Sequence, residues 1–199
     1  MKNSFLFIAL LVCLKVSAQV QGSIEQIYYY DKTGGFAMGP LVQLQTKQNW
    51  FAEARYNYEE VRTVSFYIGR AYERDANFSY SIVPIFGGVI GRFKGGSAAL
   101  NMDLEYKNFY FSSQSQYTFS VQNEIDNFYF SWSELGYQPL EWFYGGFALQ
   151  ETYFPQLKEH ITHPGFVVGF TYKRWTLPIY GFRAGASSNT YVCSILYEW

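Results

Sequence analysis

Along most of this chain apolar and polar residues alternate one by one, the period-2 signature of strands with one greasy face. Twelve such segments can be marked, at about 22–31, 37–46, 49–58, 61–73, 77–90, 97–106, 108–121, 127–137, 140–153, 164–174, 176–185 and 189–199. No helical i, i+3, i+4 pattern competes over a comparable length. In the third segment Trp50, Ala52, Ala54, Tyr56 and Tyr58 fall on one side, and Phe51, Glu53, Arg55, Asn57 and Glu59 on the other. The sixth sets Leu100, Met102, Leu104 and Tyr106 against Asn101, Asp103, Glu105 and Lys107. The seventh sets Phe109, Phe111, Tyr117 and Phe119 against Gln114, Gln116, Thr118 and Ser120, and the tenth sets Phe166, Val168, Phe170 and Tyr172 against Thr171 and Lys173. The eighth is the exception. If Phe128, Phe130 and Trp132 point outward, strict alternation carries Glu134 out with them, so a β-bulge near Trp132 or Ser133 is predicted to restore it to the polar side.

Alternation alone does not say whether the apolar set faces a core, as in a soluble sandwich, or faces lipid, as in a barrel. The two ends of the chain decide between them. Residues 1–18 carry Lys2, an apolar run from Phe5 to Leu14 and the small-residue triplet Val16, Ser17, Ala18, which together read as a secretory signal peptide cleaved before Gln19. The run is shorter than the roughly 20 residues a membrane helix needs. Val12 ahead of Cys13 argues against a lipidated N-terminus. Cleavage removes Lys2, Cys13 and Lys15, leaving acidic residues in excess and Cys193 as a single thiol, so no internal disulfide is expected. An acidic chain without a basic face is also no candidate for nucleic acid. At the other end Tyr191, Cys193, Ile195, Tyr197 and Trp199 share one face of the last segment.

That last face, with Tyr191, Ile195, Tyr197 and the final Trp199, resembles the C-terminal assembly signal of bacterial outer-membrane β-barrels. Asn57 to Glu60 (NYEE) and Trp132 to Leu135 (WSEL) resemble pieces of uncharacterised exported barrel proteins. The resemblance implies an all-β, antiparallel transmembrane barrel of about twelve strands. Residues 19–199 would form one domain in the outer membrane of a Gram-negative cell, meeting outer-membrane lipids and the barrel-assembly machinery. Composition fits. Aromatics reach 22%, as two interfacial girdles require, while charged residues fall to 16% against the roughly 25% of soluble domains.

Loop lengths give orientation. With the N-terminus on the periplasmic side, the turns near Lys47 and Gln48, Arg74 to Ala76, Lys107, Tyr137 to Pro139 and Trp175 are short. Connections at the other end, Lys32 to Phe36, Gly91 to Gly96, Gln122 to Asp126 and the long Phe154 to His163, are mostly longer, although Tyr58 to Val61 is not.

The candidate chemistry lies in the lumen. Glu53, Arg55, Glu59, Asp103, Glu105, Lys107, Glu134, Lys173 and Arg183 are read as inward charges, forming either a polar constriction for small solutes or a salt-bridged plug. Pro84 to Gly96 (PIFGGVIGRFKGG) lacks phosphate-loop spacing and reads as a flexible outer loop or a lumen-folded constriction. Glu159, His160 and His163 read as solvated loop residues rather than a metal site. No cofactor is expected. The outer-membrane phospholipases, similar in strand count, place serine and histidine on the outer rim, but no serine adjoins these histidines in the sequence pattern. The expected function is a non-enzymatic narrow channel or structural component. A lipid-modifying enzyme, and a partner subunit or adhesin acting through the loop from Phe154 to His163, are the alternatives.

Overall fold

The computed structural model describes residues 20–31, 35–122, 126–183 and 189–199. The signal-peptide reading of residues 1–18 lies outside them. The described residues form β1 (Val20–Asp31), β2 (Gly35–Thr46), β3 (Trp50–Tyr56), β4 (Thr63–Arg70), β5 (Tyr72–Arg74), β6 (Phe78–Gly91) and β7 (Gly95–Tyr106). They continue with β8 (Phe109–Ser120), β9 (Phe128–Leu140), β10 (Phe143–Phe154), β11 (Glu159–Tyr172), β12 (Trp175–Phe182) and β13 (Thr190–Glu198). Neighbours in sequence pair antiparallel, β4 and β5 are two parts of one wall strand broken at Ala71, and both pair with β6. β1 pairs with β13 over Ser23 to Asp31 and β4 pairs with β6, so twelve strand positions close into a barrel, with the short β5 paired to β6 alone.

Closure removes the unpaired backbone groups that hydrocarbon cannot satisfy, and its outer surface confirms which solvent it meets. Phe66, Ile68, Phe86 and Phe147 are each about 60% exposed or more, whereas Ser65, Thr63 and Thr118 on the other face are fully buried. A soluble sandwich would reverse these. Exposed Tyr106, Tyr137, Trp142, Tyr172 and Trp175 ring the end that carries Val20 and Trp199, and exposed Tyr30, Tyr56, Tyr117, Tyr129, Tyr153 and Tyr191 ring the other. These are the two interfacial girdles of a transmembrane barrel. The last strand keeps its face, with Tyr191 and Ile195 exposed and Tyr197 stacked on Trp199 and tilted against Trp175.

The girdled ends differ in their connections. Turns at 47–49, 75–77, 107–108, 141–142 and 173–174 share the end of Val20, and those at 57–62, 92–94 and 155–158 share the opposite end with the strand ends Asp31, Gly35, Ser120, Phe128, Phe182 and Thr190. We call these the turn end and the loop end.

Three sequence expectations need correction. The eighth segment has no bulge near Trp132: β8 and β9 stay in regular register from Phe109 opposite Tyr137 to Thr118 opposite Phe128. Phe128, Phe130, Trp132 and Glu134 instead all face inward, and the register break in this region lies between β9 and β10 at Phe143 and Gly145. Pro84 to Gly91 belongs to β6 and Gly95 begins β7, so only 92–94 turn, and the glycine-rich segment is wall rather than loop. The long connection expected from Phe154 to His163 shrinks to 155–158, because β11 begins at Glu159 and extends the hairpin with β10.

Leu100 lies midway along β7 on the lipid face, between Pro84 and Ser115. Replacing it by Arg is expected to cost about 2–4 kcal/mol, as charge at bilayer mid-depth does. Denaturant unfolding of vesicle-inserted protein checks this, and a cost near zero would mean that Leu100 does not face hydrocarbon.

Candidate functional site

Strand parity sends Glu53 and Arg55 of β3 into the lumen, and the 57–62 connection folds in after them, bringing Tyr58 and Glu59. Tyr58, expected outward in continuation of β3, is therefore inside. Arg55, only 2% exposed, pairs with Glu53 and lies 3.5 Å from Glu59. Its Nη1 donates to Gln116 Oε1 at 2.6 Å, and its guanidinium sits 4.4 Å and 4.6 Å from the ring centres of Tyr58 and Tyr67. Gln43 donates to Glu53 at 2.6 Å, Ser65 and Tyr67 donate to Glu59 at 2.6 and 2.8 Å, and Tyr58 donates to Gln114 at 2.6 Å. Burying an ion is tolerated only with this degree of compensation. Because β3 and β8 are four steps apart around the ring, the bonds to Gln114 and Gln116 make a strut across the lumen.

Beside the strut the interior is filled by rings. Trp132 meets Tyr180 and Phe182 edge to face, at 4.9 and 5.5 Å between centres, and Ile27, Val167 and Val192 pack around them. At the loop end Phe93, carried on the 92–94 turn, packs against Phe128 and Val89.

Toward the turn end the lumen widens. Asp103, Ser112 and Glu134 stand in one cross-strand row on β7, β8 and β9, with Glu105 one step nearer the turn end. Glu25 faces them from β1, which lies diametrically opposite β8 in the ring. A cavity of about 160 Å³ is bounded by Glu25, Ser112, Glu134, Trp132 and Tyr180, and one of about 350 Å³ shares Glu25, Glu134 and Tyr180 and adds Asp103 and Glu105. The acids are held by hydroxyls: Ser194 on Glu25 at 2.5 Å, Ser112 on Asp103 at 2.7 Å, and Tyr180 on Glu134 at 2.8 Å. Two glycines shape this chamber. A Cβ on Gly136 would fall 2.3 Å from the Tyr110 ring, and one on Gly169 would fall 1.9 Å from the Tyr144 ring, so each ring lies over bare wall, and the two meet edge to face with 5.6 Å between centres.

Of the sequence candidates, Glu53, Arg55, Glu59, Asp103, Glu105 and Glu134 turn inward, in two groups: the strut and the chamber. Lys107 and Lys173 do not. Each occupies a tight turn with φ of 56° and folds its ammonium 5.2 Å from the ring of the preceding Tyr106 or Tyr172. Arg183 ends β12 at the loop end, exposed, with Nη1 3.4 Å from His163 Nε2. Sequence reading missed Glu25, Tyr58, Trp132 and Tyr180, and it turned Gln114 inward without giving it a role. For Glu25 a signal existed, since Ser23, Glu25 and Asp31 share one parity of β1.

The histidines lie on the wall strand β11, not in a loop. His160 points outward, 3.2 Å from Glu151, while His163 points inward, so the pair is split between two faces. Among the described residues no group of three or more His, Cys, Asp or Glu could hold a metal. On the same outward face Ser113, Ser115, Ser131 and Ser133 close a ring of four hydrogen bonds of 3.0 to 3.3 Å, each hydroxyl satisfied by its neighbours. Ser131 is the cross-strand neighbour of Glu151, so the acid stands between serine and histidine. A nucleophile and its base need the imidazole in that central place.

No family model matches this sequence, and no curated protein matches it. Solved structures do. The NanC porin superposes with a TM-score of 0.67 at 13% identity, covering 87% of this chain and 98% of that one. The KdgM porin, in complex with disordered oligogalacturonate, superposes with a TM-score of 0.64 at 12% identity, covering 89% and 99%. The chain has the fold of outer-membrane porins. With its apolar belt and girdles it is an outer-membrane β-barrel.

Removing the strut cation leaves two carboxylates facing each other in a confined space. Arg55→Ala is expected to destabilise the barrel by about 3–5 kcal/mol, and pairing it with Glu53→Gln is expected to recover part of the loss. Unfolding midpoints of the refolded variants in detergent measure both; equal stability of wild type and Arg55→Ala would show that the strut carries no load.

Proposed function

We propose that this barrel is a non-enzymatic, narrow channel for small solutes. The observation that carries the reading is the polar turn-end half of the lumen, where carboxylates, serines, glutamines and tyrosine hydroxyls line two cavities with shared walls instead of a packed core. The porin fold supports it by analogy of architecture. The strut and the Trp132–Tyr180–Phe182 cluster form the narrow zone, which limits passage to small molecules or to moments when Tyr58 and its connection withdraw. Against lipid chemistry stand the split histidines and the self-satisfied serine ring.

A second reading, a structural barrel without passage, is favoured by the aromatic filling at the loop end, since small barrels can be sealed by their own side chains. Planar-bilayer recording of the purified protein separates the two. Discrete single-channel steps are expected. Tyr58→Ala, which removes both a ring beside Arg55 and the bond to Gln114, is expected to raise unit conductance. Absence of current from correctly folded wild type and from Tyr58→Ala would leave the structural role.

A further inference from the structure

We infer that the lumen selects for cations and uncharged solutes and disfavours acidic ones. This rests on the channel reading above. Fixed charge along the lining of the proposed path is unbalanced. In the strut, Arg55 is surrounded by Glu53 and Glu59, so the narrow zone holds one guanidinium against two carboxylates. In the chamber below it, Glu25, Asp103, Glu105 and Glu134 line the two cavities, and no lysine, arginine or histidine is among their lining residues. None of these four acids takes part in an ion pair among the described residues; Glu25, Asp103 and Glu134 accept from the hydroxyls of Ser194, Ser112 and Tyr180. A hydroxyl orients a carboxylate and leaves its charge in place, whereas a paired lysine would cancel it.

No basic side chain lines these two cavities. Lys107 and Lys173 fold over the outward tyrosines Tyr106 and Tyr172, Lys107 at the edge of a further cavity that Glu105 also lines, and Arg174 lines a separate turn-end cavity of about 480 Å³ together with Gln43, Gln45 and Glu198. A chamber of one sign between low-dielectric walls focuses its field and concentrates counterions, which is how rings of Asp and Glu make a pore cation-selective. The four acids form a field rather than a coordination site, because no metal-binding group is found among the described residues. The consequence separates this barrel from one of its structural neighbours, the KdgM porin, solved with the polyanion oligogalacturonate.

The test is the reversal potential of the full barrel in a planar bilayer under a potassium chloride gradient. The wild type is expected to reverse near the potassium equilibrium potential, and oligogalacturonate added to either side is expected to leave the current unblocked. Asp103→Asn with Glu105→Gln, both at exposed positions, should move the reversal potential toward zero, and adding Glu25→Gln and Glu134→Gln should move it further, leaving only the preference set by the strut. Anion preference in the wild type, block by oligogalacturonate, or a reversal potential unmoved in the two-residue variant would overturn this inference and leave the channel standing. Absence of any current would overturn both.

Discussion

Backbone hydrogen bonding in hydrocarbon is the constraint from which the rest of this structure follows. Every strand within hydrocarbon must have a partner on both sides, and the sheet meets that demand when β1 joins β13 and β4 joins β6, with the short β5 at the turn end paired to β6 alone. Once the ring is closed, each residue of a wall strand has two possible destinations, lipid or lumen, and neighbouring strands dictate each other's choice. The ladder from β7 through β10 shows this. Ser113 stands opposite Ser133 and Ser115 opposite Ser131, so the four serines go outward as a set and Glu134, Trp132 and Phe130 go inward as a set.

A twelve-strand ring leaves an interior that side chains can partly, but not wholly, fill. The loop-end half is occupied by aromatic rings and by the buried Arg55 network, which converts a costly desolvated ion into a cross-brace between β3 and β8. The turn-end half stays polar because Gly136 and Gly169 let Tyr110 and Tyr144 lie back against the wall and because hydroxyls hold the acids apart. Narrowing and charge are thus separated along the axis. Size exclusion belongs to the strut and its rings, and electrostatic preference to the chamber.

The outward face carries a smaller lesson about polar groups in a membrane. In a closed ring of four serine hydroxyls each can donate once and accept once, so the set can present hydrocarbon with no orphaned donor. Glu151 and His160 nearby likewise partner each other at 3.2 Å, close to the loop-end girdle of Tyr117, Tyr129 and Tyr153. Polar residues on a lipid face are therefore compatible with a purely architectural role when they satisfy one another.

Much of the architecture was present in the one-dimensional pattern. Alternation is a local property of a strand, so the number of strands, the inward turn of Glu53, Arg55, Asp103 and Glu105, and the lipid face of Phe166 to Tyr172 could all be read residue by residue. Parity fails as a guide where both faces are mixed. In β9 one face holds Phe128, Phe130, Trp132 and Glu134 and the other Tyr129, Ser131, Ser133 and Leu135, and nothing within the segment says which is inside. Pairing with β8 says it. Turns were misjudged for a related reason: Lys107 and Lys173 continue an alternation on paper, while the tight reversal swings them to a different direction. The grouping of Glu25 with Glu134 across the lumen, and of Arg55 with Gln116, depends on ring closure, which brings together residues far apart in the chain. What the amino-acid order determined alone was the two-sided strand, because that needs only adjacent residues; what the tertiary structure decided was which sides share an interior, because that needs every strand at once.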